Sequence, residues 1–338
     1  MKPIYSSNLP AKRHHSIFNC GEIIITHKPV LLEETIEALS PKLNGTYIDG
    51  TIGGGGHAEA LLNASGAKSR LMGIDRDPDA VERCKARLSC FGDRFVCVHS
   101  DFASMTRVAQ ENGFNKPDGI LLDLGVSSFQ IDEPERGFSF IADGPLDMRM
   151  DNSKGMTVAE YLDMLEGDWQ TLATVLRQYG EEPRATKIAK AIAAEQVKSP
   201  IKTTARLASI VEKAVGGRKG APRHPATRTF QALRIAINAE MEQLRDGLES
   251  AISLLAEDGR LAVISFHSIE DRIVKQTFRA HEGRTVSLQQ GGTEWEGKTP
   301  VVVRVNRRAI KPSDNEISKN PRARSAKLRA VRRIQTPS

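Results

Sequence analysis

Cysteine is scarce in this 338-residue chain and forms no pattern. Cys20, Cys84, Cys90 and Cys97 include no C-x-x-C pair, so neither a zinc ribbon nor a disulfide framework is expected. That usage suits a reducing, cytoplasmic setting, and nothing in the spacing suggests a metal site. No apolar run approaches the roughly 20 residues that span a bilayer, so no membrane partner is expected. Residues 1–26 lack a long apolar core and a signal-peptide pattern, and are expected to be a disordered leader. The G-x-G-x-x-G spacing of dinucleotide sites is missing. Acids are thin near the C-terminus: between Arg304 and Arg333, eleven Lys and Arg face only Asp314 and Glu316. Such an imbalance points to a polyanionic partner, with a solvated basic tail as the plainer alternative.

Hydrophobic residues make up 39% of the chain and charged residues 27%, with a net charge of +6, as suits a globular protein with a core. Short Ile/Val/Leu-rich segments recur at 46–51, 70–75, 94–99, 119–125 and 259–266, like strands buried on both faces. Helical spacing separates the first four, which predicts an α/β fold with a doubly wound parallel sheet. From Asp132 to Pro225 no convincing strand appears. Thr157 with Glu160 forms a capping box, Asp168 caps a second helix that stops at Gly180, and two further helices follow. So long a gap predicts an inserted helical substrate-recognition domain at 132–225, within a sheet domain made of 27–131 and 226–338 with a basic C-terminal tail. One long helix over 226–255 leads back to the sheet. The segment "VGGRKGAPRHP" (215–225) is the clearest linker.

The stretch "YIDGTIGGGGHAEALL" (47–62) places four glycines between a strand and a helix start. Glycine admits strained turns and close ligand approach, and the following helix N-terminus faces the ligand. Asp75 ends the second strand, where an acid accepts hydrogen bonds from ribose hydroxyls. Phe102, after the third strand, is either an adenine-stacking ring or an ordinary core residue. Asp49 beside the turn would repel a pyrophosphate but suits the cationic end of S-adenosylmethionine, which favours that methyl donor over a dinucleotide.

Together, "YIDGTIGGGGHA", "GIDRDPDA", "DGILLDLGVSS", "DGPLDMRMD", "RHPATRTFQALRIAIN", "GRLAVISFHSIEDRIVK" and "NPRARSAKLRA" resemble the bacterial 16S rRNA (cytosine-N4)-methyltransferase family, collinearly from about His27 to Arg333. The resemblance implies a Rossmann-like S-adenosylmethionine-dependent methyltransferase sheet with an inserted helical domain. It implies an enzyme that methylates the exocyclic N4 of a decoding-centre (P-site) cytidine in 16S rRNA of the small ribosomal subunit. Carried over by motif, the cofactor contacts are Gly55, Gly56, His57, Asp75, Phe102, Asp123 and Gln130. Phe129 stands where the family has proline, which bears on the reach of Gln130.

The exocyclic nitrogen of cytosine is a poor nucleophile because its lone pair is delocalised into the ring. Placement supplies the larger part of the rate, with assistance from a hydrogen-bond acceptor. Asp123, in "DLGVSS" after the fourth strand, is the candidate acceptor, with a structural turn-capping carboxylate as the alternative. His267, just past the fifth strand, is a second catalytic candidate or a structural histidine. Arg223, Arg228 and Arg234 around Phe230, and Arg322, Arg324, Lys327 and Arg329 in the basic run, are expected to face RNA. The oligomeric state is open, a homodimer included. Two readings compete: a non-catalytic RNA-binding assembly factor, which would need neither the glycine loop nor Asp123, and a nicotinamide dehydrogenase, which the missing dinucleotide spacing disfavours.

Overall fold

The structure is a computed structural model that describes residues 29–335, apart from 219, 221–222, 288–291 and 297–298. The leader expected over 1–26 lies outside the described residues. The strands are β1 (Thr46–Asp49), β2 (Arg70–Asp75), β3 (Phe95–His99), β4 (Gly119–Asp123), β5 (Arg260–Ser265), β6 (Arg284–Ser287), β7 (Thr293–Glu296), β8 (Val302–Arg304) and β9 (Lys327–Arg333). Seven form one sheet in the order β3-β2-β1-β4-β5-β9-β8, and β6 with β7 makes a separate hairpin. The pairs from β3 to β5 are parallel; β9 runs antiparallel to both β5 and β8.

The five predicted sheet strands form where expected because each buries neighbouring side chains on opposite faces. Ile48, Met72, Ile120 and Val263 join one core with helices Met105–Glu111, Glu240–Leu254 and Ser268–Glu282. Tyr47, Leu71, Leu121 and Ala262 join the other, under helices Leu32–Leu39, Gly56–Ala64 and Pro78–Arg87. Two cores on the two faces of one parallel sheet make the doubly wound α/β architecture. The strand order reverses between β1 and β4, so the carboxyl ends of these two strands flank the crevice where such sheets bind ligands.

The basic run at the C-terminus is not a free tail. As β9 it is an interior strand, with Leu328, Ala330 and Val331 buried and Lys327, Arg329 and Arg332 partly exposed. Its basic residues mask the alternation of a half-buried strand.

The inserted helical domain has its own core. Helices Val158–Met164, Trp169–Gly180, Ala185–Lys198 and Thr204–Val215 pack around Leu172, Leu176, Ile188 and Leu207. The capping box at Thr157 and Glu160 is present, Asp168 caps the next helix, and that helix ends at Gly180. The helical core extends past the expected boundary at 225: Phe230 and Leu233 of helix Thr227–Ile237 belong to it. The long helix expected over 226–255 breaks at Asn238 and Ala239, the latter at φ 49°. The buried Asn238 side chain accepts from the Met150 amide at 2.9 Å and donates to the carbonyls of Met148 and Arg234, each at 2.8 Å. The helix thus gives way to hydrogen bonds with the "DMRM" loop.

Candidate active site

The glycine loop joins β1 to helix Gly56–Ala64. Gly53 and Gly55 have positive φ, 49° and 76°, and Gly55 is the residue preceding the helix. A Cβ on Gly55 would come 3.0 Å from Cys84 Sγ, and one on Gly56 would come 2.3 Å from the Pro29 ring. Both glycines are therefore required by the fold itself, and the same lack of side chains opens the helix N-terminus to a ligand.

Four acidic or imidazole groups surround this turn. Asp49 ends β1 with 1% of its surface exposed, and burial pushes its carboxyl up to about 7, tempered by His57 and by the Thr51 amide it accepts. Asp75 ends β2 and accepts from the Gly53 and Asp77 amides, both at 2.9 Å. Burial pushes Asp75 up to about 6, and because it is only half-buried its remaining edge can receive further donors. Asp123 ends β4; its backbone N–H donates to Thr51 Oγ1 at 2.6 Å, which ties β4 to the loop. His57 Nε2 lies 3.6 Å from Asp123 Oδ2, too far for a direct hydrogen bond.

Both nitrogens of His57, at 6% exposure, and Oδ1 of Asp123 are buried without a hydrogen-bond partner. Orphaned buried polar atoms are costly unless a ligand or water completes them. Three carboxylates beside open backbone at the switch point form an acceptor set for a cation that also carries hydroxyls. That set fits the sulfonium, ammonium and ribose of S-adenosylmethionine and repels a pyrophosphate.

Two expected cofactor residues are engaged within the chain. Gln130 is 5% exposed; its Oε1 accepts from the Ser127 amide at 3.0 Å and its Nε2 donates to Asp77 Oδ2 at 2.9 Å. Asp77 is buried, caps helix Pro78–Arg87 and also receives Arg136 Nη1 at 3.0 Å. Gln130 thus locks the loop after β4 to the loop after β2. Phe129 lies against Gly54, with the Arg83 guanidinium 4.7 Å from its ring centroid, so the aromatic in place of proline closes over the glycine loop. The Phe102 ring, partly buried, packs on helix Glu240–Leu254 where Gly247 leaves space.

His267 caps helix Ser268–Glu282: Nδ1 accepts from the Glu270 amide, and Nε2 lies 3.0 Å from Glu270 Oε1 without hydrogen-bond alignment. Both ring nitrogens are turned towards that one residue, the geometry of the structural-histidine alternative. Arg234, expected to face RNA, is turned inward. Its guanidinium makes a bidentate pair with Glu240 at 2.7 and 2.8 Å and is 13% exposed. Burial alone would lower its pKa, but the Glu240 pairing outweighs it. Burial would raise Glu270, yet His267 and Arg234 together hold it down. Phe230, at 5% exposure, stacks edge-on against Phe140 in the helical core and presents no face to a base.

Beside the acidic crevice opens a cleft of about 730 Å³ between the helical domain and the far half of the sheet. Arg223, Arg228, Arg324 and Lys327 line it, as does His267. Arg184, Arg218 and Lys311 line it too. The composition of the "GRKGAPRHP" linker signals Arg218 and the basic C-terminal run signals Lys311; Arg184 stands in a segment with no distinguishing pattern. Its acids are Glu181 and Glu182. Glu181 is spent on Ser268 and Arg272 and so braces the helical domain against helix Ser268–Glu282. Arg322, paired with Asp132, and Arg329, which shares Asp271 with Lys327, are not part of the cleft wall. The cleft meets the acidic crevice at Phe266: Leu124 donates to Ile264 of β5, and a Cβ on Gly125 would lie 3.7 Å from the Phe266 ring.

Among the thiols, Cys84 and Cys97 are free and burial pushes both up, Cys97 to about 12, so neither is a nucleophile at neutral pH.

Comparison with known proteins gives this arrangement its relatives. Over 313 residues the chain is 48% identical to the ribosomal RNA small subunit methyltransferase H of Syntrophotalea carbinolica, covering 92% of this chain and 99% of that one. It is 46% identical over 309 residues to the protein of the same name from Geobacter sp. (strain M21), covering 91% and 98%. The pattern of the MraW methylase family matches residues 24–334, and with the glycine loop, the three carboxylates and the basic cleft in place along that span, the chain belongs to this family.

Proposed function

We propose that the protein transfers a methyl group to the exocyclic N4 of a P-site cytidine in the decoding centre of 16S rRNA, acting on the small ribosomal subunit in the cytoplasm. S-adenosylmethionine is the methyl donor. The relatives named above are ribosomal RNA small subunit methyltransferases, and the seven cations along the cleft suit an RNA strand. Among the described residues no helix is long and apolar enough to cross a membrane.

The observation that carries the reading is the position of Asp123. It stands at the carboxyl edge of β4, between the glycine loop and the Phe266 wall of the basic cleft, with Oδ1 unpartnered. The bound donor supplies an electrophilic methyl group on a sulfonium. The residues of the chain do the rest. The cleft cations hold the backbone of an RNA whose target base is turned out of its stack. Asp123 accepts a hydrogen bond from the exocyclic amine, which draws the nitrogen lone pair out of ring conjugation and towards the methyl. During the transfer Asp123 would take one proton from the amine, or pass it through to water. His57 Nε2 stands 3.6 Å from Oδ2, beside that carboxylate and not hydrogen-bonded to it.

The test is incubation of the protein and isotope-labelled S-adenosylmethionine with small ribosomal subunits and with naked 16S rRNA, followed by mass spectrometry of the nucleosides. Label on N4-methylcytidine from the decoding centre is expected. Label on another base, or binding of donor and RNA with no transfer, refutes the assignment; the second outcome would favour a non-catalytic assembly factor.

A further inference from the structure

A second basic hollow, of about 410 Å³, opens on the far side of the sheet edge. Helix Ser268–Glu282, the loop after β8 and strand β9 form its walls, and its floor is apolar, with Phe278 and Ala330 buried. Eight of its lining residues are Lys or Arg and none is acidic. Three of the eight are compensated from beneath: Arg304 by Glu282, and Lys327 and Arg329 by the single carboxylate of Asp271. Lys275, Arg307, Arg308 and Lys311 are exposed and Arg279 is half-buried; none of these five has an acidic partner among the described residues.

Like charges gathered on one concave wall repel each other, and an external anion removes that repulsion. The wall is lined by several cations along its length rather than one focus, which suits a chain of phosphates better than a single small ion. Continuity decides what the chain is. Lys311 and Lys327 line both this hollow and the 730 Å³ cleft beside the acidic crevice, so the two basic surfaces join. We propose that the hollow is a track for the sugar–phosphate backbone of the RNA flanking the target nucleotide, entered from the cleft past Lys311 and Lys327. The track rests on the reading that the cleft receives RNA. It adds a contact that lies outside the site of chemistry and is reached only by an RNA longer than the cleft.

Arg307→Gln with Arg308→Gln tests it, since both side chains are exposed and make no hydrogen bond among the described residues. Binding of full-length 16S rRNA and of a short oligonucleotide around the target cytidine is measured against salt. Removing two phosphate contacts should make the log–log salt slope shallower by about 1.4–1.8 for the long RNA. The short oligonucleotide and S-adenosylmethionine should bind as before. An unchanged slope for the long RNA, or an equal change for both RNAs, overturns the track. A photo-crosslinker placed at residue 308 on small subunits should capture rRNA; capture of a ribosomal protein instead would overturn it in favour of an acidic protein surface. These are binding readouts, so a failure to find N4-methylcytidine would refute the proposed reaction and leave them standing.

Discussion

Asp49→Asn is the perturbation that best separates the charge of the donor pocket from its shape. The native carboxyl is 1% exposed, and burial pushes it from 3.8 to about 7. At about 1.4 kcal/mol per pH unit, a shift of that size places on the order of 4 kcal/mol against the ionised form. The sign follows from proton binding. The folded state holds this proton more tightly than the unfolded chain, so the group favours folding fully below about pH 4, and that contribution is lost as pH rises through about 7. A sulfonium cation nearby has the opposite preference and binds best once the carboxylate is ionised. Between pH 6 and pH 8 the ionised fraction of a group titrating near 7 grows about tenfold, so affinity for S-adenosylmethionine should rise about tenfold over that range. Asp75, pushed up to about 6, extends the dependence to lower pH, while His57 and Asp123 face Asp49 with opposite influences. In Asp49→Asn the dependence between pH 6 and 8 should flatten. Affinity at pH 8 should fall, and the free protein should melt higher there than the wild type. Calorimetric titration across pH measures the first two and thermal melting the third. A wild-type affinity that is flat across this range, or a variant with the same pH dependence as the wild type, would refute the reasoning.

Asp123→Asn keeps the shape and removes the proton acceptor, so kcat should fall by about 10²–10⁴-fold with little change in melting temperature; near-normal turnover would take Asp123 out of the chemistry. Arg234→Ala leaves Glu240 and Glu270 as buried anions without their shared cation, and should cost about 3–5 kcal/mol in denaturant unfolding. The same variant should leave the salt slope of RNA binding intact, because the residue does not face the cleft. Gly247→Ala sets a methyl 2.3 Å from the Phe102 ring, and displacing that ring should destabilise the fold by about 1–3 kcal/mol in the same assay. An unaltered midpoint there would mean that Phe102 is free to move.

The parts of the fold legible in the sequence are those in which local pattern and tertiary role agree. The strands that end in Asp49, Asp75 and Asp123 are buried on both faces, so their apolar runs are unbroken and their terminal acids mark the crevice. Strand β9 escaped because only Leu328, Ala330 and Val331 of its seven residues turn inward and the others are basic. The break at Asn238 carries no glycine or proline; it comes from hydrogen bonds to a loop some ninety positions earlier in the chain, which no local window contains. Residue type also says nothing of facing. Arg228 and Arg234 lie on the same helix, yet the first is exposed in the cleft and the second is closed in an ion pair. His267 stands at the edge where ligands bind, and only the direction of its ring distinguishes a cap from a base.

The opposed charges of the two halves of the site explain why they adjoin without merging. On the proposed reading a cationic donor meets a crevice lined by Asp49, Asp75 and Asp123, and an anionic RNA meets a cleft lined by arginine and lysine. Were the two sets interleaved, each carboxylate would pair with a cation, as Asp271 does with Lys327 and Arg329, and neither ligand would find an open partner. Phe266 and Gly125 form the neutral seam between them. Only the phosphates of an RNA strand carry charge, so an uncharged base turned out of its stack can cross this seam. In the proposed reaction the phosphates stay on the basic side while the exocyclic amine reaches Asp123, and the separation of the two fields would select what enters the crevice before any contact with the base edge is made.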